Sequence, residues 1–322
     1  MTPRYAADIR AIVWMFIATS LVAVQVIFPD LAPYLCAVSA YFALAAGILA
    51  HNHNHCPTFR HKGLNEAWAI WLSIFYGYPT FAWIPTHNLN HHKFANAEGD
   101  ATITWRHTNR HTAWVAATYF FVSSYYQGGP IKQFIRKAKA RNGKMYRRIV
   151  RQYASWVGIH LAVVATCIYL HGFGTGLLTW TLCMGIPSFF SLWTIMLFNY
   201  EQHVHADPFS EYDHSRNFVS PVMNFLLFNN GYHTVHHDYP GTHWSKLPAL
   251  HAKVADKIHP DLNEASLLWY WFRQYALVPI GAATGTKQIG PEPGGITPPM
   301  RTADVDVAVS GTNSERVRAA NA

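Results

Sequence analysis

Three histidine clusters constrain this sequence more than any other feature. They read His51-Asn52-His53-Asn54-His55, His87-Asn88-Leu89-Asn90-His91-His92 and, far downstream, His233-Thr234-Val235-His236-His237. Residues three or four apart share a helix face, so His51 with His55, His87 with His91, and His233 with both His236 and His237 can point the same way. Imidazole binds iron, zinc, copper and nickel. The clusters therefore predict a metal site, and their convergence would hold more than one ion.

Charged residues make up only 13% of the 322 residues, roughly half the share typical of soluble proteins. Uncharged runs cover residues 11–28, 31–50, 152–170 and 175–198. Each run is about long enough to cross ~30 Å of hydrocarbon as a helix. We expect an all-α integral membrane protein with four transmembrane helices in two hairpins, and a helical cap that carries the three histidine clusters.

The charge pattern predicts the orientation. Nine basic residues and no acidic residue lie between residues 132 and 151, so the positive-inside rule assigns this segment to the cytoplasm. Four crossings then put the N-terminus, all three clusters and the C-terminus on the cytoplasmic side, in a membrane expected to be a bacterial inner membrane. Residues 1–280 are predicted to form the membrane domain, with an interfacial aromatic helix over 262–280. Residues 281–322 are rich in Gly and Pro and predict a disordered tail.

The histidine pattern favours a metal over its alternatives. An isolated histidine pair at helical spacing would be weak evidence, but burying three clusters of imidazoles without partners is costly. Cys36, Cys56, Cys167 and Cys183 are far apart and form no C-x-x-C pair, which argues against a thiolate zinc site. Two ions that share eight or nine imidazoles fit the pattern better, and iron is favoured if the reaction uses dioxygen.

In chain order the three clusters read H-x-x-x-H, H-x-x-x-H-H and H-x-x-H-H, and they are called the first, second and third histidine box below. One hairpin precedes the first box, and another lies between the second and the third. This arrangement resembles the membrane fatty acid desaturase superfamily. That resemblance implies a non-haem di-iron centre (Fe²⁺/Fe³⁺) that uses O2 as co-substrate. It implies ligand roles for eight box histidines: His51, His55, His87, His91, His92, His233, His236 and His237.

The resemblance also implies a ninth histidine after the last crossing. We expect His203 to fill this role, with His205 as the alternative, and Asn199 could hold an iron through a water molecule. Three acidic residues that flank the boxes are candidates to orient imidazoles: Asp100, Glu201 and Asp238. No catalytic side chain is predicted beyond the metal ligands.

Seven further histidines are not expected to bind a metal. His53 lies off the face shared by its two neighbours, so an orienting or solvent-facing role is expected. Six histidines in polar stretches are expected to be surface or structural residues: His107, His111, His214, His243, His251 and His259.

The resemblance implies an O2-dependent fatty acyl desaturase, which introduces a C=C bond. The same centre would also serve a hydroxylase, a ketolase or a 1-alkene-forming fatty acid decarboxylase, and the boxes do not separate these reactions. A histidine-rich membrane metal transporter is the alternative from another class. The expected partners are a fatty acyl substrate, membrane lipid and a separate electron donor such as ferredoxin, rubredoxin or cytochrome b5. No nucleic-acid partner is expected.

Overall fold

A computed structural model describes residues 2–293, and about two thirds of these residues are helical. The helices in chain order are α1 (Asp8–Ile27), α2 (Ala32–His55), α3 (Lys62–Tyr76), α4 (His92–Phe94), α5 (Ala113–Arg141), α6 (Gly143–His171), α7 (Phe173–Trp180), α8 (Ile186–His203), α9 (Pro221–Leu226), α10 (His233–Asp238), α11 (Leu247–His251) and α12 (Leu267–Phe272). Two short strands, β1 (Asn217–Phe218) and β2 (Asn263–Glu264), pair in parallel.

Four segments among the described residues are long and apolar enough to cross a membrane. They are Asp8–Ile27, Pro29–His55, Gly143–His171 and Phe173–His203. The prediction of an all-α membrane fold with four crossing helices is therefore confirmed. The second segment extends beyond the predicted end at residue 50, so the first histidine box lies on the last turns of α2.

The described chain divides into two compact units. Unit 1 comprises the described residues up to Pro85 together with Ile131–Ile195. In this unit a hydrogen bond of 2.8 Å joins Gln25 Nε2 of α1 to Ser39 Oγ of α2, and satisfies two buried polar groups. α3 has 15 residues, which is about 22 Å of helix and too short to span ~30 Å of hydrocarbon.

The helix that begins at Phe173 changes form near its middle. A π-helical stretch, Thr181–Gly185, separates α7 from α8 and ends just before Pro187. Proline has no backbone N–H, so it cannot continue the regular hydrogen-bond ladder, and a local change of helix type accommodates it.

Unit 2 comprises Thr86–Pro130 and the described residues from Met196 onward. Its short helices and the β1–β2 pair surround a small core of Ala206, Ile258 and Leu262. It contains the second and third histidine boxes and the described part of the predicted tail.

The described part of that tail contacts the rest of unit 2. Ile289 donates its backbone N–H to the His205 carbonyl at 2.9 Å, and Gln288 Nε2 donates to the Ala206 carbonyl at 3.2 Å. Residues 294–322 lie outside the described residues. The predicted domain boundary at residue 280, with a disordered tail beyond it, stays a prediction.

We predict that Gly176 is required for the close approach of α6 and α7. A Cβ at this position would lie 2.5 Å from backbone atoms of Cys167 and Ile168, which cannot rotate away. Gly176→Ala should destabilise the protein by about 1–3 kcal/mol, as overpacking does in well-packed cores. The measurement is the thermal unfolding midpoint in detergent.

Gly174→Ala is the matched control on the same helix, because a Cβ at Gly174 meets nothing within 4 Å. An unfolding midpoint for Gly176→Ala equal to that of the control would contradict the packing argument.

Candidate metal centre

The second histidine box adopts a π-helical conformation, and this conformation determines which group of histidines each of its side chains joins. The stretch Ile84–His91 is π-helical and leads into α4. A π-helix bonds residue i to residue i+5 and has a wider turn than an α-helix, so residue i+5 lies closer to residue i than α-helical spacing allows. His87 and His92 accordingly come together, with 3.1 Å between their Nε2 atoms, whereas His91 joins a different group of histidines. The expectation that His87 and His91 act on one face differs from this arrangement because it assumed α-helical spacing.

The first histidine group lies wholly within unit 2. It consists of His91, His203, His233 and His237, whose ligand nitrogens all lie within 4.8 Å of one another. The Nε2 atom of His233 is 2.9 Å from that of His203 and 3.1 Å from that of His237. α10 presents His233 and His237 four residues apart on one face, as its sequence predicts.

Hydrogen bonds at the far side of the rings fix two tautomers in this group. His203 Nδ1 lies 3.2 Å from the His214 carbonyl, which can only accept a hydrogen bond, so the Nδ1 atom carries the proton. His91 Nδ1 lies 2.8 Å from Asp100 Oδ2 and donates to it in the same way. Both Nε2 atoms are therefore left with a lone pair that faces the other imidazoles.

The surroundings of these lone pairs indicate whether the site suits a metal ion. His91 Nε2 is buried and has no hydrogen-bond partner, although an orphaned buried nitrogen is costly. Burial, followed by the charges of neighbouring histidines, lowers the pKa of His237 well below its ordinary value. His237 is thus neutral at pH 7, which is the state that binds metals. Four convergent imidazoles of this kind fit a metal ion.

Asp100 is held in its charged form beside His91. Burial alone would raise the pKa of Asp100, but His91 and the hydrogen bonds from Thr102 outweigh burial and lower it well below the usual range. Asp100 Oδ1 accepts from Thr102 Oγ1 at 2.6 Å, and Oδ2 accepts from the Asn96 backbone at 2.8 Å. Asp100 therefore binds the proton-bearing nitrogen of His91 from the side opposite the group.

Three further histidines come together in unit 2. His92 Nε2 is 3.1 Å from His87 Nε2 and 3.2 Å from His236 Nε2. In unit 1, the remaining two box histidines, His51 and His55, lie next to each other at the end of α2, with ring centroids 5.0 Å apart. His51 also stacks on Trp83 at 5.0 Å.

His203 and His205, the two candidates for the ninth histidine, have different surroundings. His203 belongs to the first histidine group, whereas His205 donates from Nε2 to the Asn109 carbonyl at 2.7 Å and contacts Thr286 Oγ1 through Nδ1 at 2.8 Å. Asn199, on the same helix as His203, donates to the Tyr119 hydroxyl at 2.9 Å. Its water-mediated role stays a prediction.

Two of the acidic candidates contact other histidines than expected. Glu201 binds His111 Nε2 at 3.1 Å and the hydroxyl of Tyr275, and not a box histidine. Asp238 lies 3.4 Å from His214 Nε2. Both contacts are with histidines outside the three boxes, so the role of Glu201 and Asp238 in orienting box imidazoles stays a prediction.

Sequence reasoning missed Thr102 and His214 as supports of the first histidine group. Thr102 Oγ1 contacts both Asp100 and His91 Nδ1, and the backbone carbonyl of His214 fixes the His203 tautomer. A threonine two residues after an acidic candidate gives no distinctive signal, and a backbone carbonyl gives none.

Comparisons with known proteins find a matching family and distant relatives. A model of the fatty acid desaturase family matches residues 29–272. A sphingolipid delta(4)-desaturase of Komagataella phaffii is 27% identical over 228 residues, which cover 65% of this chain and 58% of the relative. A fatty acid desaturase of Bacillus subtilis is 24% identical over 250 residues, or 71% of this chain and 68% of the relative. The match thus spans less than two thirds of the first relative. No solved structure matches the chain.

We predict that Asp100→Asn weakens metal retention roughly 10–100-fold, as loss of a residue that orients a metal-binding histidine typically does. Glu98→Gln is the matched control, because Glu98 is exposed and only two residues away. The measurement is the metal remaining on the purified protein during titration with a chelator.

The low pKa of Asp100 also gives the pH dependence. A carboxylate with a lowered pKa contributes stability above its ordinary value of about 4, and loses that contribution only as the pH falls below this value. The difference between Asp100→Asn and the unsubstituted protein should therefore be the same at pH 6 and pH 8. Equal retention by Asp100→Asn and Glu98→Gln would contradict the assignment.

Proposed function

The chain belongs to the fatty acid desaturase family, and from this membership we propose that it is an O2-dependent desaturase that introduces a C=C bond into a fatty acyl lipid. The observation that carries the proposal is the convergence of imidazole nitrogens from the second and third boxes within a membrane protein. The names of the two relatives support the acyl-lipid substrate class. The acyl carrier, the chain length and the position of the double bond are left open.

We propose that the two sets of histidines hold two iron ions. His91, His203, His233 and His237 would bind one ion. His87, His92 and His236, which come together in unit 2, would bind the other. The ligand roles that the family resemblance implies for His51 and His55 of the first box stay a prediction. A donor set of neutral imidazoles suits iron, zinc or copper, and the oxidative chemistry of the family favours iron.

The reaction would consume one O2, two electrons and two protons for each C=C bond, and would release two water molecules. Bound iron would supply the redox chemistry that removes one hydrogen from each of two neighbouring methylene groups, with dioxygen as the oxidant. The two electrons would come from a separate donor protein such as ferredoxin, rubredoxin or cytochrome b5.

The side chains of the site would prepare the metal ligands and protect the reaction. Asp100 keeps the Nδ1 proton of His91 in place, and the His214 carbonyl does the same for His203, so both Nε2 atoms stay available. The burial of His91, His203 and His233 keeps bulk water away from the site. An unactivated alkyl chain needs such a dry site, because water would compete for reactive species.

The proposed orientation follows from charge. The exposed basic residues between 132 and 151 would lie on the cytoplasmic side of a bacterial inner membrane. An even number of crossings would put the N-terminus, the active site and the C-terminus on that same side. An electron donor from the cytoplasm could then reach the site directly.

We predict that purified protein contains about two irons per chain, and that either His91→Ala or His236→Ala loses at least about half of them, since each removes a proposed ligand of one ion. Desaturated product should fall by more than about 100-fold in both variants, because each ligand set is incomplete. The measurements are elemental analysis and mass spectrometry of acyl products after incubation with reductant and defined lipids. His107→Ala is the control, since His107 is exposed and lies outside both sets.

The same experiment separates the alternatives. A hydroxylated or oxo product would assign the hydroxylase or ketolase reaction, and a terminal alkene would assign the decarboxylase. Zinc in place of iron, with no oxygen consumption, would contradict the proposal and favour metal transport.

A further inference from the structure

Two short helices of unit 2 follow the paired strands at the same interval. β1 and β2 run parallel, with Phe218 opposite Glu264. Each strand is followed by a serine that caps a helix: Ser220 accepts a hydrogen bond from Met223 N at the start of α9, and Ser266 accepts one from Trp269 N at the start of α12. Because the strands are parallel, both helices leave from the same end of the pair.

α9 has its polar side inside and its apolar side outside. Asn224 is buried and donates to the Phe218 carbonyl at 2.7 Å, and its Oδ1 accepts from Gly231 N at 3.1 Å. On the outer side, Val222 is 70% exposed and Phe225 is 52% exposed. A helix in contact with water would show the reverse arrangement.

α12 also presents an apolar outer side. Tyr270 is fully buried and packs on Phe218 of β1, with ring centroids 5.3 Å apart. On the outer side Leu268 is 74% exposed and Trp269 is 54% exposed, and Phe272 is exposed beside Trp269. Both the inner and the outer side of this helix are thus apolar, which is characteristic of helices that contact lipid.

A contact places α12 beside the end of the last crossing segment. The ring of Trp271 lies 6.1 Å from that of Phe198, which belongs to the crossing segment Phe173–His203. Phe198 is five residues from the end of that segment, or about 7 Å along the helix axis. Phe198 is also the last residue of the uncharged run 175–198, and tryptophan concentrates where crossing helices reach the membrane surface.

We propose that α9 and α12 together form a second membrane-contact surface, in which the outer sides of both helices sit in the headgroup and upper acyl region of the bilayer. The two serine-capped helices would act as a paired anchor that holds unit 2 against the membrane. The occupant is lipid and not a second copy of the chain. The surface lies next to a crossing segment that is itself surrounded by lipid, and its outer residues are the Val, Leu, Phe and Trp that lipid contact favours.

The test places the photo-crosslinking amino acid p-benzoylphenylalanine at position 222 or 268 of the full chain, in nanodiscs of phosphatidylcholine and phosphatidylglycerol. Position 256 is the control, because Asp256 is an exposed acidic residue of the same unit. After irradiation, intact-mass spectrometry should show at least about ten-fold more lipid adduct at positions 222 and 268 than at 256, since only the first two would be surrounded by lipid.

Positions 225 and 272 repeat the measurement on the same helices, so that failure of one variant to fold does not leave the question open. Lipid adducts at all four positions no more frequent than at position 256 would overturn the proposal. Crosslinked dimers in place of lipid adducts would also overturn it, and would assign the surface to a second copy.

Discussion

Imidazole nitrogens that face one another at about 3 Å are the interaction on which the rest of this structure depends. His203 and His233 approach to 2.9 Å between their Nε2 atoms, and the outward hydrogen bond of His203 leaves its inner nitrogen with a lone pair. Lone pairs at this separation repel unless a proton or a metal ion lies between them. A proton on His233 Nε2 would satisfy this pair alone, but His91 Nε2 of the same group would stay buried without a partner, so a metal is the favourable solution. The surrounding polar contacts keep these nitrogens unprotonated and directed inward.

The fold supports this arrangement because both the membrane-crossing helices and the short helices and turns of unit 2 carry histidines. Membrane-crossing helices carry histidines at their ends, as α2 does with His51 and α8 does with His203. The short helices and turns of unit 2 carry the second and third boxes and the carboxylate of Asp100. α9 and α12 belong to the same unit and expose apolar residues, which the proposed lipid contact would cover. An enzyme with an acyl-lipid substrate would benefit from that proximity.

The sequence predicts the architecture well because long uncharged runs have few alternatives to crossing a membrane as helices. It also predicts His203 over His205, and the i, i+4 pairing of His233 with His237. It does not predict that His91 and His92 join different groups, since the π-helical turn before them has no clear sequence signal. The buried network of His111, for which a surface or structural role was expected, depends equally on long-range contacts. The spacing of residues along a helix shows which side chains share a face, whereas the partners of a buried side chain depend on the whole fold.

We propose that clustered histidines, without thiolates or carboxylates, hold a pair of iron ions. X-ray absorption spectroscopy at the iron edge of the purified chain tests it most directly. We expect a first shell of light atoms with the multiple-scattering pattern of several imidazoles, in a sample whose metal is iron. A sulfur shell, or a protein that retains zinc and excludes iron, would contradict it.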